Sequence, residues 1–235
     1  MYRSITLEND KFTRKFINLE LAKKYKCVIF DCDGVLVDSE AIGNQVLVDL
    51  ANELGANINL DYAYKHFKGR SLYNCMAQIE KLIQEKLSKD FEQRYRNQSY
   101  KNFKDSIMPI DGVTEVIETL QIPFCVASSG PESKIRLNLE CTALLPYFEG
   151  KIFSCYTLKK WKPDPAVFLW AAETMGFQPK DCVVIEDSLS GVKAGKAGGF
   201  DVFGYTEHDL NNELNGIADL VFSEMEELPR LLDEY

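Results

Sequence analysis

Cys27-Val28-Ile29-Phe30-Asp31-Cys32-Asp33-Gly34 is four apolar residues that stop abruptly at two aspartates and a glycine. A short run with no polar alternate reads as a strand buried on both faces, the pattern of a parallel sheet. The pattern recurs twice. Phe124-Cys125-Val126-Ala127 runs into Ser128-Ser129-Gly130, and Cys182-Val183-Val184-Ile185 runs into Glu186-Asp187. Weaker strand signals lie at 151–154, 201–204 and 219–222. Helical patterns alternate with them at 112–120, 131–140, 164–175 and 189–197. Pro131 stands at the start of the second, Gly176 ends the third, and Gly198-Gly199 ends the fourth. Strand–helix alternation predicts an α/β fold, a Rossmann-like parallel sheet with helices on both faces.

Residues 40–107 break that rhythm. They hold no strand signal, and helical patterns run over 41–54, 72–87 and 89–105. The expected organisation is an N-terminal arm (1–25), an α/β core (26–39 and 108–235) and a helical cap (40–107) inserted after the first strand. Residues 10–24 read equally as a short polar helix or a loose arm.

Composition narrows the class. The chain has 235 residues, 46% hydrophobic and 27% charged, which excludes disordered, collagen-like and coiled-coil chains. No apolar run approaches the roughly 18 residues of a membrane span, and Lys11, Arg14, Lys15, Lys23 and Lys24 interrupt any leader-like stretch. A cytoplasmic protein with no membrane partner is expected. Net charge is −9 and uneven: residues 1–26 carry seven basic against three acidic side chains, and residues 108–235 carry ten against twenty-one. That balance argues against a nucleic-acid partner. The seven cysteines include no CxxC pair, and Cys27 and Cys32 should face opposite sides of the sheet, so buried thiols are expected rather than a zinc knuckle or disulfides. Two histidines far apart, His66 and His208, offer no multi-histidine metal site.

In open parallel sheets, ligands bind outside the carboxyl ends of the strands. Asp31, Asp33, Ser128, Glu186 and Asp187 all stand there. Two like charges 4 Å apart repel by about 4 kcal/mol at an effective dielectric near 20. Four carboxylates on one rim therefore call for protons or a cation, and an all-oxygen donor set suits Mg²⁺. Lys162, in Trp161-Lys162-Pro163-Asp164-Pro165, sits in a backbone stiffened by proline just before a helix. There it can hold a phosphate as a point charge. Residues 128–130 offer a hydroxyl and backbone N–H groups at a helix entrance, a setting for an anion.

These residues carry a resemblance. Asp31-Cys32-Asp33-Gly34-Val35-Leu36-Val37-Asp38-Ser39-Glu40 resembles the first signature of the haloacid dehalogenase-like hydrolase superfamily. Ser128 matches the second motif, Lys162 the third, and Glu186-Asp187-Ser188 the fourth. The helical insertion is similar to a type 1 cap, as in the sugar-phosphatase and β-phosphoglucomutase branch. The resemblance implies a Mg²⁺-dependent phosphatase acting on a small phosphorylated metabolite, a sugar or sugar-acid phosphate such as 6-phosphogluconate. Asp31 would be the nucleophile that forms an aspartyl phosphate, and Asp33 the general acid and base. Ser128 and Lys162 would hold the phosphate. Asp31, Asp33, Glu186 and Asp187 would hold the metal, with Glu186 either direct or through water.

Lys68, Gly69 and Arg70 in the cap, with Ser129 and Gly130, would meet the rest of the substrate. Several phosphatases have Asn where this chain has Ser129. Asp33 argues against the dehalogenases of the superfamily, which lack that second carboxylate. The missing histidine in Glu40-Ala41-Ile42-Gly43-Asn44 argues against a phosphosugar mutase, the alternative enzyme reading. A catalytically silent binding protein is the alternative of another class, against which the intact carboxylate and lysine set stands. A monomer is expected.

Overall fold

The computed structural model describes residues 24–67, 70–207, 209 and 211–235. The arm expected at 1–25 falls outside the described residues except for Lys24 and Tyr25. In chain order, β1 (Cys27–Phe30) is followed by α1 (Glu40–Glu53), α2 (Leu60–His66), α3 (Leu72–Ile83) and α4 (Phe91–Ser106). Then come α5 (Val113–Thr119), β2 (Phe124–Ser128), α6 (Glu132–Cys141), α7 (Leu145–Phe148), β3 (Ile152–Ser154) and α8 (Cys155–Leu158). The chain closes with α9 (Ala166–Met175), β4 (Cys182–Glu186), α10 (Leu189–Ala197), β5 (Asp201–Tyr205), β6 (Leu220–Phe222) and α11 (Leu228–Glu234).

All six strands pair in parallel, in the order β3-β2-β1-β4-β5-β6. Because side chains alternate across a strand, the same runs feed two cores. Val28 and Phe30, with Val126, Val183, Ile185 and Phe203, pack under α5, α6 and α11. Cys27 and Ile29, with Cys125, Ala127, Cys182, Val184 and Val202, pack under α9 and α10. Cys27 and Cys32 fall in opposite cores, as their spacing predicts. All seven cysteines are free thiols, and Cys141 alone among them is exposed. Tyr25 already belongs to the first core. Its ring meets Phe203 edge-on at 5.7 Å, and its hydroxyl donates to Asp201 at 2.8 Å.

Helices α1–α4 close around a third apolar cluster of their own, built from Val46, Leu50, Ala63, Phe67, Ile79 and Phe91. Two differences from the sequence reading are local. α3 stops at Ile83 rather than 87 because Gln84 turns left-handed, with φ 57°. α2 shows no apolar stripe, because Ala63 alone of its seven residues is buried, and is started by Asn59 accepting from the Tyr62 N–H at 3.0 Å. The sequence reading also omits α11, although Leu228, Leu231 and Leu232 line one face of it. Among the described residues no helix is long and apolar enough to cross a membrane.

Phe30 is fully buried and meets Phe124 and Phe148 edge-on at 6.2 and 6.4 Å. Truncation to alanine deletes a ring at the centre of the larger core. Phe30→Ala is expected to cost about 3–5 kcal/mol, read as a lower denaturation midpoint in urea. A loss under about 1 kcal/mol would contradict this packing.

Candidate active site

The strand order reverses direction beside β1: β2 and β3 extend to one side, β4 to β6 to the other. Such a switch point leaves a crevice at the carboxyl ends, because the connections depart to opposite faces. Register then decides what meets there. Phe30 lies level with Ile185, and the Asp31 N–H donates to the Ile185 carbonyl at 2.9 Å. Asp31 and Glu186 are thereby brought level.

Lys162 resolves that juxtaposition. Its ammonium donates to Asp31 Oδ1 at 2.8 Å and to Glu186 Oε1 at 2.6 Å, with its side chain only 3% exposed. Burial opposes the charge on Lys162, but Asp31 and Glu186 outweigh it and hold the amine protonated well above its usual range. Glu186 spends its other oxygen on Ser188, accepting from the backbone N–H at 2.8 Å and the hydroxyl at 2.9 Å. Asp31 remains the strained partner. Burial pushes its carboxyl from the ordinary 3.8 up to about 7; Lys162 opposes the rise, and Glu186 and Asp33 add to it.

Asp33 has the opposite balance. Burial favours its neutral form, but the Lys134 ammonium at 2.6 Å and the Ser39 hydroxyl hold it below the usual carboxylate range. Asn138 Nδ2 donates to the same oxygen, Oδ1, at 3.3 Å.

Ser128 is buried at the end of β2, and its hydroxyl oxygen accepts from the Gly130 N–H at 3.1 Å. Ser154 ties the turn down from β3, donating to the Gly130 carbonyl at 2.6 Å. Asp187 follows β4 and is buried. Carboxylate oxygens of Asp31, Glu186 and Asp187 lie within 4.8 Å of one another. Three buried carboxylates around one point, one already pushed toward protonation, make an all-oxygen donor set fit for a hard divalent cation. Two glycines keep that space open. A Cβ on Gly34, whose φ is +77°, would overlap the Asp187 carboxylate, and one on Gly191 would overlap Glu186.

The rim opens into a cavity of about 170 Å³ lined by Asp31, Asp33, Ser128, Ser129, Gly130, Lys162 and Asp187. Its other wall comes from the helical insertion, including Asn44, Arg70 and Arg96. Arg70 also lines an adjoining cavity of about 590 Å³. Lys68 and Gly69 lie outside the described residues. Arg96 spans the two walls: it donates to Glu92 within α4 and to the Tyr156 hydroxyl at 2.8 Å.

Residues 25–199 match the haloacid dehalogenase-like hydrolase family profile. The chain belongs to this family of hydrolases. It is 31% identical over 209 residues to the 6-phosphogluconate phosphatase of Escherichia coli strain K12, covering 88% of this chain and 95% of that one. It is 28% identical over 191 residues to the phosphorylated carbohydrates phosphatase of Thermotoga maritima, covering 80% and 88%. Among solved structures, a haloacid dehalogenase-like protein of unknown function from Agrobacterium tumefaciens superposes with a TM-score of 0.79. That protein is 31% identical, over 88% of this chain and 97% of the other.

Sequence reasoning missed Lys134, Asn138, Ser39 and Arg96. Lys134 and Asn138 carried a usable signal. They sit four apart on α6, each one position before a buried apolar residue, Ile135 and Leu139. A helix face that turns from apolar to polar beside the first strand points at the strand's rim. Arg96 gave no such signal, because its neighbour Tyr156 is sixty residues away.

The raised Asp31 carboxyl sets a pH dependence. A carboxylate whose proton affinity is higher in the folded state loses stability as pH rises from the unfolded toward the folded value. In chelator, the wild type is expected to lose ground to Asp31→Asn, a mimic of the protonated acid, between pH about 4 and about 7. Parallel melting temperatures for the two proteins across that window, by scanning calorimetry, would contradict it.

Proposed function

We propose that this protein is a Mg²⁺-dependent phosphatase of small sugar or sugar-acid phosphates, 6-phosphogluconate among them, working through an aspartyl phosphate. As a member of its family it is a phosphoric monoester hydrolase; metal, substrate class and intermediate are the proposal. One observation carries it: a buried carboxylate, Asp31, stands at the switch point with a lysine on one oxygen, a second aspartate two residues on, and the turn at 128–130 opposite. The names of the two phosphatase relatives support the substrate class, and Arg70 in the cavity wall supplies a charge for a sugar acid's carboxylate. We further propose that residues 40–107 act as a cap over a core formed by 26–39 and 108–235.

In this reading the phosphate enters between Lys162 and the turn at 128–130. The Lys162 ammonium and the Ser128 hydroxyl hold its oxygens and orient phosphorus toward Asp31. An Asp31 oxygen attacks, forming the new P–O bond as the bond to the sugar oxygen breaks. Asp33 gives its proton to the departing alkoxide. Asp33 stands ionised without substrate; the phosphate dianion beside it raises its proton affinity, and it takes that proton from solvent as the substrate binds. As a carboxylate it then takes a proton from water, whose oxygen attacks phosphorus and frees Asp31. Mg²⁺ held by Asp31, Asp187 and the Asp33 carbonyl, with Glu186 direct or through water, would neutralise phosphate charge when bound. Glu186 also keeps Lys162 aimed, and the helical insertion shields the acyl phosphate from stray water.

The test is inorganic phosphate release from 6-phosphogluconate, hexose phosphates and an aryl phosphate, with Mg²⁺ and with chelator. Metal-dependent turnover is expected, with a loss of at least about 10³-fold in Asp31→Asn. Turnover surviving in rigorously purified Asp31→Asn would overturn the nucleophile assignment. Silence of the wild type toward every ester would overturn the phosphatase reading.

A further inference from the structure

We propose that Lys134 is a positioning residue for Asp33, fixing its carboxyl so that Oδ2 alone is presented to the leaving oxygen of the substrate. The inference rests on the phosphatase reading above and goes beyond it. Lys134 lies outside the four matched motifs, and no family resemblance assigns it.

The argument is one of oxygen bookkeeping. Asp33 follows the end of β1 in a loop, so nothing in the sheet holds its side chain. Three donors converge on Oδ1: the Lys134 ammonium at 2.6 Å, Asn138 Nδ2 at 3.3 Å and the Ser39 hydroxyl. A carboxylate oxygen offers two lone-pair directions. Oδ1 is therefore saturated and cannot also exchange a proton with substrate. Oδ2 faces the other way, toward the turn at 128–130: a Cβ built on Gly130 would lie 3.8 Å from Asp33 Oδ2 and 3.5 Å from Ser128 Oγ. That is the side on which the phosphate enters in the proposed mechanism.

Lys134 is itself held. It projects from the first turn of α6, is 18% exposed, and its ammonium lies 5.4 Å from the centre of the Phe103 ring on α4. All three bonds reach an ionised carboxylate, but Lys134 alone of the donors carries a charge and so adds the attraction of a partly buried ion pair. Without it, Ser39 and Asn138 remain, but Asp33 gains freedom to turn either oxygen away from the substrate. A misplacement of about 1 Å can cost about 10²-fold in rate.

The consequence is selective. An alkoxide leaves poorly without a proton, whereas a nitrophenolate leaves without one. Lys134→Met and Lys134→Arg are compared with wild type and Asp33→Asn in Mg²⁺, on a sugar phosphate that the wild type hydrolyses and on 4-nitrophenyl phosphate. Dephosphorylation of Asp31 is common to both esters, so the readout is kcat/KM, which reports only the steps up to the aspartyl phosphate: Lys134→Met is expected to lower it on the sugar phosphate at least tenfold more than on the aryl phosphate. Asp33→Asn should show the same selectivity, and the double variant should lose little more on the sugar phosphate than Asp33→Asn alone. Lys134→Arg, which restores a cation, should fall between wild type and Lys134→Met. Circular dichroism and the thermal melting midpoint measure folding independently of Asp33.

Equal losses of kcat/KM on both esters, or none, would overturn the inference while leaving the phosphatase reading intact. If Lys134→Met does not fold, an even loss in Lys134→Arg has the same force. A wild type that hydrolyses neither ester would overturn both.

Discussion

The site is organised around one buried ammonium, Lys162, shared between Asp31 and Glu186. Each of those carboxylates is almost fully buried, and an unpaired buried ion costs several kcal/mol. The lysine supplies the counter-charge that both strand ends share. The lysine in turn comes from the loop before α9, while its partners come from β1 and β4. Sheet register, strand order and the path of that loop must all be right for the three to meet. Removing the lysine alone would leave two buried carboxylates facing one another, the situation in which ion pairs are most costly to break. The balance is incomplete even so, since the Asp31 carboxyl still rises to about 7. That residual excess of negative charge is why the same corner suits a divalent cation.

Asp31 and Asp33 are chemically identical and two residues apart, yet their proton affinities are pushed in opposite directions. Asp31 is buried beside other carboxylates and shares its lysine. Asp33 has a lysine largely to itself, with a hydroxyl and an amide in support. Environments that separate two titratable groups in this way are the usual basis for giving them different roles. Taken alone the order is opposite to what the proposed nucleophile and proton donor need; a cation beside Asp31 would lower its proton affinity, and a phosphate dianion beside Asp33 would raise it. The difference arises from helix α6, which belongs to no strand end, and so from packing rather than from the loop that carries both aspartates.

The helical insertion adds a second layer of control. It has its own apolar cluster, built from Val46, Leu50, Ala63, Phe67, Ile79 and Phe91. It is also joined to the sheet domain by apolar packing, Phe103 and Ile107 entering the first core, by Arg96 on Tyr156, and by the Phe103 ring near Lys134. The Phe103 ring thus links the insertion to the lysine that holds Asp33.

Much was legible from residue order. Apolar runs such as those at 27–30 and 182–185 declared parallel strands because burial on both faces leaves no polar alternate. The polar residues that end them, Asp31, Ser128, Glu186 and Asp187, were readable as one rim because parallel strands present their carboxyl ends together. The seven-residue α2 was not legible, since Ala63 alone of its residues is buried and no apolar stripe shows, whereas α5, of the same length, was legible from Val113, Val116 and Ile117. The pairings of Lys134 with Asp33 and of Arg96 with Tyr156 were not legible either, because they form across 101 and 60 residues. Sequence alone determined the strand ends and the chemistry they carry, because local burial patterns and strand direction are local properties. Tertiary structure alone decided which oxygen of each carboxylate is occupied and by what. That depends on helix and loop placement in three dimensions, and no spacing along the chain encodes the direction of a side chain approaching from another element.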